Sequence, residues 1–153
     1  MSSEAYLNNL IKKGFLKEEK IGLDQIKILL ATAQKNLTAA QKTLDIDEET
    51  CYTMAYNAML KVARATVLLK GFRPTGNQQH KITIEATGQI LGQDFRFLIE
   101  KFDQMRKKRN KFIYEPLLPL SRDEAVRAIK TAEEFYNKVR VFLKYANPQL
   151  ELF

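Results

Sequence analysis

The 153-residue sequence has little cysteine, histidine, glycine or proline: one, one, six and four residues. A single cysteine, Cys51, cannot form an intrachain disulfide, which fits a reducing compartment. One histidine and one cysteine supply no recognisable zinc-ligand set, so we predict no metal and no cofactor. The scarcity of glycine and proline argues against an all-β fold built on many tight turns.

Long apolar runs are also missing. No run approaches the roughly 18 residues that a membrane-spanning helix needs, and the N-terminal residues MSSEAYLNNL lack the apolar core of a signal peptide. We therefore expect a cytoplasmic protein that does not associate with membranes. P-loop, dinucleotide-binding and nucleophile-elbow motifs are absent, together with the βαβ pattern that such motifs require.

The composition that is present suits one globular domain spanning residues 1–153. Hydrophobic residues make up 45% of the chain, which is enough for a core at this length. The net charge of +7 and the pI near 9.5 favour polyanionic partners, at least through non-specific electrostatics.

Helical periodicity runs through most of the sequence. Residues 24–44 and about 48–70 form amphipathic patterns, with Asp24 as the expected N-cap of the first and Asp47, or Asp45 with Glu48, starting the second. Gly71 should end that helix. Because the link between these helices is short, we expect them to pack antiparallel. The core face of the second helix is predicted to comprise Tyr52, Ala55, Tyr56, Met59, Ala63, Thr66 and Val67.

The pattern of the second half of the chain predicts a loop followed by three helices. FRPTGNQQHK, residues 72–81, is a polar break with loop character, and residues 82–91 are interpreted as a short helix although Ile82 and Ile84 alternate like a strand. Asp94 should cap a helix over 95–113. Ser121 and Glu124 form a capping box for the last helix, which runs to about Tyr145. With a short helix near 3–13, the prediction is an all-α single-domain bundle of five to six helices.

The strongest functional signal is RKKRNKFIYE at residues 106–115. At about 100° per residue, Arg109 falls on the apolar face of the 95–113 helix and Arg106 lies near its edge, whereas Lys107, Lys108 and Lys111 point elsewhere. That face is predicted to comprise Phe95, Leu98, Ile99, Phe102, Met105 and Ile113. An unpaired buried guanidinium is costly, so Arg109 either pairs with an acid of a neighbouring helix or faces a phosphate or a subunit contact.

Residues 109–114, RNKFIY, resemble the signature of HEPN domains, in which an arginine, often followed by asparagine, precedes a histidine near the end of a helix. The resemblance extends to the order of helices and to GFRPTGNQQH ahead of the motif, and the bundle would cover about residues 20–146. It implies that two motifs meet across a homodimer. It also implies that Arg109 stabilises a phosphate and that Asn110 supports the site in metal-independent RNA cleavage.

The sequence departs from that signature at the histidine position, which holds Tyr114, and at Pro116, where catalytic members often carry a tyrosine. Tyrosine titrates near pH 10 and does not shuttle protons at neutrality, although its ring can stack on a base. The candidate catalytic residues are therefore Arg109, Asn110 and Tyr114. The candidate nucleic-acid-binding residues are Arg106, Lys107, Lys108, Arg109 and Lys111.

His80, the only histidine, lies in the predicted loop upstream of the motif. In the simpler interpretation it caps a helix or stays in water. In the functional one it joins a polar site as an accessory residue with Arg73 and Arg109.

Three functions stay open at this point. The first is a HEPN-like dimer that binds RNA or a nucleotide with lost or altered RNase activity, as part of a toxin–antitoxin or defence pair with an antitoxin or nucleotidyltransferase partner. The second is a helical protein–protein interaction module. The third is an active metal-independent endoribonuclease.

Overall fold

A computed structural model of the chain describes residues 2–115 and 119–150. Within these ranges six α-helices enclose the core: α1 (Ser3–Lys12), α2 (Leu23–Thr43), α3 (Glu48–Leu69), α4 (Gln79–Leu91), α5 (Arg96–Tyr114) and α6 (Arg122–Ala146). Two short strands, β1 (Leu16–Glu18) and β2 (Phe72–Pro74), and a 3-10 helix, Gln93–Phe95, complete the described elements. The predicted all-α class is confirmed. Among these helices none is both long and apolar enough to cross a bilayer.

Helix α3 lies at the centre of the bundle, in contact with α2, α4, α5 and α6. Only residues 44–47 separate it from α2, against which it packs, so the two helices run antiparallel. The predicted core face of α3 is buried throughout, and Tyr56 and Met59 are fully enclosed. After α6 the chain stays attached to the core as far as Leu150, which is fully buried, and residues 151–153 lie outside the described part.

Side-chain caps begin two of the helices as predicted. The Asp47 carboxylate accepts a hydrogen bond from the Thr50 amide at 3.2 Å, and the Ser121 hydroxyl accepts one from the Glu124 amide at 3.1 Å. Such caps satisfy amides that have no partner within the helix. Half of the predicted capping box forms, because the Glu124 carboxylate accepts from the Ser121 hydroxyl rather than from its amide.

The other two predicted caps are wrong. Helix α2 begins one residue earlier than expected, with Gly22 at the N-cap, so Asp24 lies inside the first turn, where a negative charge is still favourable. Asp94 lies within the 3-10 helix that runs directly into α5. Gly92, with a φ of 87°, turns the chain between the end of α4 and this 3-10 helix.

The segment predicted as a loop at 72–81 contains two ordered elements. Strand β2 pairs antiparallel with β1 in the register Leu16↔Pro74, Lys17↔Arg73 and Glu18↔Phe72. Helix α4 then begins at Gln79, three residues earlier than predicted, which places His80 in a helical first turn instead of a loop. Strands of three residues are too short for a periodicity argument to detect.

The apolar face of α5 differs from the prediction near its C-terminus. Ile113 is 48% exposed, whereas Phe112 is buried and meets the Tyr52 ring edge-on at 5.6 Å between centroids. Phe112 follows buried Met105 by seven residues, or about two helical turns, and therefore shares its face. Phe95, Leu98, Phe102 and Met105 are buried as predicted, and Ile99 is half-buried.

Candidate nucleic-acid interface

The N-terminus of α4 and the C-terminal half of α5 border an open cleft of about 530 Å³. Its lining joins the half-buried histidine to the arginine–asparagine pair of the sequence motif. We call it the α4–α5 cleft, and it is lined by Gln78, Gln79, His80, Lys81, Arg106, Arg109 and Asn110.

Arg109 is half-buried in the cleft and has no acidic partner among the described residues. No carboxylate of the described residues lies within salt-bridge distance of it, and its Nε atom is shielded from solvent without a hydrogen-bond partner there. Its guanidinium carbon lies 5.5 Å from the centroid of the Tyr56 ring, within cation–π range. Pairing with an acid of a neighbouring helix, the simpler expectation for this arginine, is not what the described residues show.

Other cations of the run have acidic partners. Arg106 Nε lies 2.9 Å from the Asp103 carboxylate, and Lys107 Nζ approaches the same group at 3.4 Å. Burial alone would raise the pKa of Asp103, but the hydrogen bond and charge of Arg106 and then those of Lys107 lower it. Lys108 pairs across to Glu124 on α6 at 3.2 Å. Lys111 is exposed.

The His80 ring is held in place by a contact with Tyr56 of α3. Its Nδ1 atom lies 3.0 Å from the Tyr56 hydroxyl oxygen. Burial lowers the pKa of His80, and the positive charges of Arg109, Arg64 and Arg106 lower it further. Burial also raises the pKa of Tyr56 to about 12, so its hydroxyl keeps its proton. At neutral pH the cleft therefore holds a neutral imidazole beside arginine cations.

The backbone at the start of α4 adds a second feature that favours anions. Gln78 adopts the left-handed region, with a φ of 62°, and no side chain of the described residues caps the helix after it. The first residues of α4 line the cleft, their amides have no intrahelical partner, and the helix dipole places partial positive charge at this end of the helix.

Several predicted site residues lie outside the cleft. Tyr114 is the last residue of α5, is 82% exposed and does not line the cleft. Arg73 lies in β2, where its Nε pairs with Glu19 at 3.0 Å. Lys107, Lys108 and Lys111 belong to α5 but not to the cleft lining, and Pro116 lies outside the described residues.

Two residues near the cleft were missed by sequence reasoning. Tyr56 was predicted only as part of the core face of α3, and it is fully buried while its hydroxyl meets His80. Arg64 lies two turns further along α3 and contributes to the positive potential at the histidine. An arginine in the largely apolar second half of α3, where Lys61 is the other charged residue, was the available signal for this second cation.

The single cysteine is enclosed. Cys51 has no solvent exposure, and burial followed by the charge of Glu48 raises the pKa of its thiol. Within the described residues no group of three or more His, Cys, Asp or Glu side chains comes together as a metal site would need.

The fold and cleft define a small helical bundle with a cationic groove at the end of one helix. The family model of the HEPN domain matches residues 26–142, and the chain therefore belongs to the HEPN domain family. Membership suggests a nucleotide-related or RNase-like role, and HEPN domains commonly dimerise. A comparison with curated protein sequences found no match.

Proposed function

We propose that the α4–α5 cleft binds RNA or a nucleotide through its phosphate groups. The observation that carries this proposal is Arg109, a half-buried guanidinium without an acidic partner among the described residues, beside His80 and Asn110. Because a dehydrated unpaired cation is costly, a phosphate that completes its coordination is the simplest reason for its placement.

The proposed roles follow the geometry of the cleft. Arg109 and Arg106 offset the charge of the phosphate, and the Asn110 amide donates a hydrogen bond. The free amides at the start of α4 contribute further donors. Tyr114, exposed beyond the cleft, stacks on a base. The remaining cations of residues 106–111 extend the positive potential along the nucleic acid; these are Lys107, Lys108 and Lys111.

We further propose that the chain acts as a homodimer within a toxin–antitoxin or defence pair. Ile113 is 48% exposed and Tyr114 is 82% exposed, so the end of the motif helix offers apolar surface to a second chain. An antitoxin or a nucleotidyltransferase is the expected heterologous partner. Sedimentation equilibrium tests the dimer, and co-purification with the product of an adjacent gene tests the pair.

The same exposed apolar residues favour one alternative, a protein–protein interaction module. In that case a carboxylate of the partner, rather than a phosphate, completes the coordination of Arg109. The two proposals differ in their response to RNA, because only phosphate binding gives direct affinity for RNA with a steep salt dependence.

The test is fluorescence anisotropy with a labelled single-stranded RNA at two salt concentrations, using the wild type, Arg109→Ala and Arg96→Ala. Arg96→Ala is the matched control because this substitution removes one charge from the exposed start of the same helix. Loss of a charge-assisted hydrogen bond should weaken binding by about 10- to 100-fold in Arg109→Ala. Arg96→Ala should change affinity less than about twofold. Equal affinities for both variants would contradict the proposal.

A further inference from the structure

We infer that His80, held by Tyr56, is the proton-transfer group for cleavage of an RNA phosphodiester in the α4–α5 cleft. This inference rests on the proposed phosphate binding and assigns the chemistry to a residue of α4, outside the helix that carries Arg109. It also gives the single histidine of the chain a role that the sequence motif does not supply.

The position of His80 in the cleft supports this role. His80 and Arg109 line the same cleft, so a phosphate bound by the guanidinium lies next to the imidazole. Tyr114, the residue at the expected histidine position of the motif, does not line the cleft and is 82% exposed. Among the residues that line the cleft, only His80 has a side chain whose ordinary pKa lies near neutrality.

The contact between His80 and Tyr56 also supports this role. Nδ1 of His80 is engaged at 3.0 Å with the Tyr56 hydroxyl, which leaves Nε2 for a ligand. When Nδ1 carries a proton and donates to the phenol oxygen, Nε2 holds a lone pair. The same Nδ1–H bond persists after Nε2 gains a proton. The phenol therefore supports both states that a proton-transfer cycle at Nε2 requires.

The reaction balances with one histidine. Nε2 of His80 accepts the proton of a ribose 2′-hydroxyl while the 2′-oxygen forms a bond to phosphorus. The bond from phosphorus to the 5′-oxygen breaks, and the protonated imidazole gives its proton to that leaving oxygen. The products are a 2′,3′-cyclic phosphate and a 5′-hydroxyl end, with the histidine neutral again. Arg109 and Arg106 offset the charge that develops on the non-bridging oxygens.

The charges around His80 set the expected pH dependence. Arg64 and the Tyr56 phenol face it from α3, and Arg106 and Arg109 face it from α5, with Asp103 paired to Arg106. Burial and these cations hold the pKa of His80 below its ordinary value. Cleavage limited by the neutral base should therefore rise from acidic pH and reach its plateau by about pH 7.

The experiment follows cleavage and binding of the same RNA in a chelator, with the wild type, His80→Ala, Arg109→Ala and Arg96→Ala. A deoxy oligonucleotide of the same sequence, with 2′-deoxyribose at every position, measures binding without reaction. The wild type should leave cyclic-phosphate ends, and His80→Ala should lose about 100-fold or more in cleavage rate. It should keep its affinity for the deoxy oligonucleotide within about threefold, since Arg109 remains.

Imidazole in solution separates chemistry from structure, because added imidazole should restore part of the cleavage by His80→Ala and none by Arg109→Ala. Tyr56→Phe should lower the turnover number and shift the pH profile while the Michaelis constant stays unchanged. A wild type that binds RNA without cutting it, or a His80→Ala that cuts normally, overturns this inference and leaves the proposed binding intact. Absence of binding by the wild type overturns both.

Discussion

At the scale of one residue, the position of Arg109 in the cleft lowers the stability of the folded protein. Its guanidinium is held partly out of water against the Tyr56 ring, and no carboxylate among the described residues compensates for the lost hydration. A cation–π contact returns only part of that free energy, about 0.5 to 2 kcal/mol. A residue placed in this way serves function at the expense of stability.

Replacing Arg109 with methionine should therefore leave the protein as stable or more stable. We expect the free energy of unfolding to rise by up to about 1 kcal/mol, because the dehydrated charge is removed and its volume is kept. Urea denaturation of Arg109→Met beside Arg96→Met measures the change, and the exposed control should stay within about 0.5 kcal/mol of the wild type. A loss of more than about 1 kcal/mol in Arg109→Met alone would show that the arginine is structural.

The titration of His80 is the second prediction at this scale, and the single histidine makes its signals unambiguous in NMR. The midpoint should lie below about 6.5, the ordinary histidine value, because burial and the neighbouring arginines disfavour the charged ring. Arg109→Gln should move the midpoint upward, because Arg109 contributes most among these charges to the lowered pKa. A midpoint above 6.5, or no response to Arg109→Gln, would contradict the described environment.

The lowered pKa of His80 also predicts how the stability of the folded protein changes with pH. A histidine whose pKa is lowered by folding contributes stability that is present above its unfolded pKa. As the pH falls below about 6.5 toward the folded pKa, the unfolded chain gains a proton that the folded chain resists, and that stability is lost.

At the scale of the elements, the aspartates at the starts of α2 and α3 can be compared directly. Asp47 accepts a hydrogen bond from the Thr50 amide and begins α3, whereas Asp24 lies inside the first turn of α2 without capping it. Asp47→Ala should lower the free energy of unfolding by about 1 kcal/mol, and Asp24→Ala by only a few tenths. Thermal or urea unfolding of the two variants tests this, and equal losses would contradict the assignment of the caps.

Sequence reasoning predicted the helices well where periodicity is long. The core face of α3 and the Ser121 cap follow from spacing and capping chemistry alone. Strands β1 and β2 could not be predicted in this way, because each has three residues and their pairing joins segments far apart in the chain. Phe112 was missed because Ile113 was assigned to the buried face.

The candidate site was predictable only in part. Arg109 stood out because an arginine on an apolar stripe conflicts with the pattern around it. Its meeting with His80 and Tyr56 depends on how α3, α4 and α5 pack, which no local spacing encodes. Tyr114 could be placed at the end of a helix, but its exposure there was not evident from the motif.

At the scale of the whole molecule, the bundle brings three separate helices to one cationic cleft within a chain of net charge +7. Helix α3 supplies the enclosed support, α4 the histidine and the free amides, and α5 the arginines. The central claim is that phosphate binds where these three helices meet.

The most direct test of that claim is NMR titration of the labelled protein with a short 2′-O-methyl RNA, which can bind but lacks the 2′-hydroxyl needed for cleavage. Phosphate binding in the cleft predicts that the largest shifts fall on the amides of residues 79–81 and 106–110, on the Arg109 side chain and on the His80 ring. In Arg109→Ala these shifts should be lost at the same RNA concentration. Shifts confined to other surfaces, or saturable binding that leaves the α4–α5 cleft unperturbed, would contradict it.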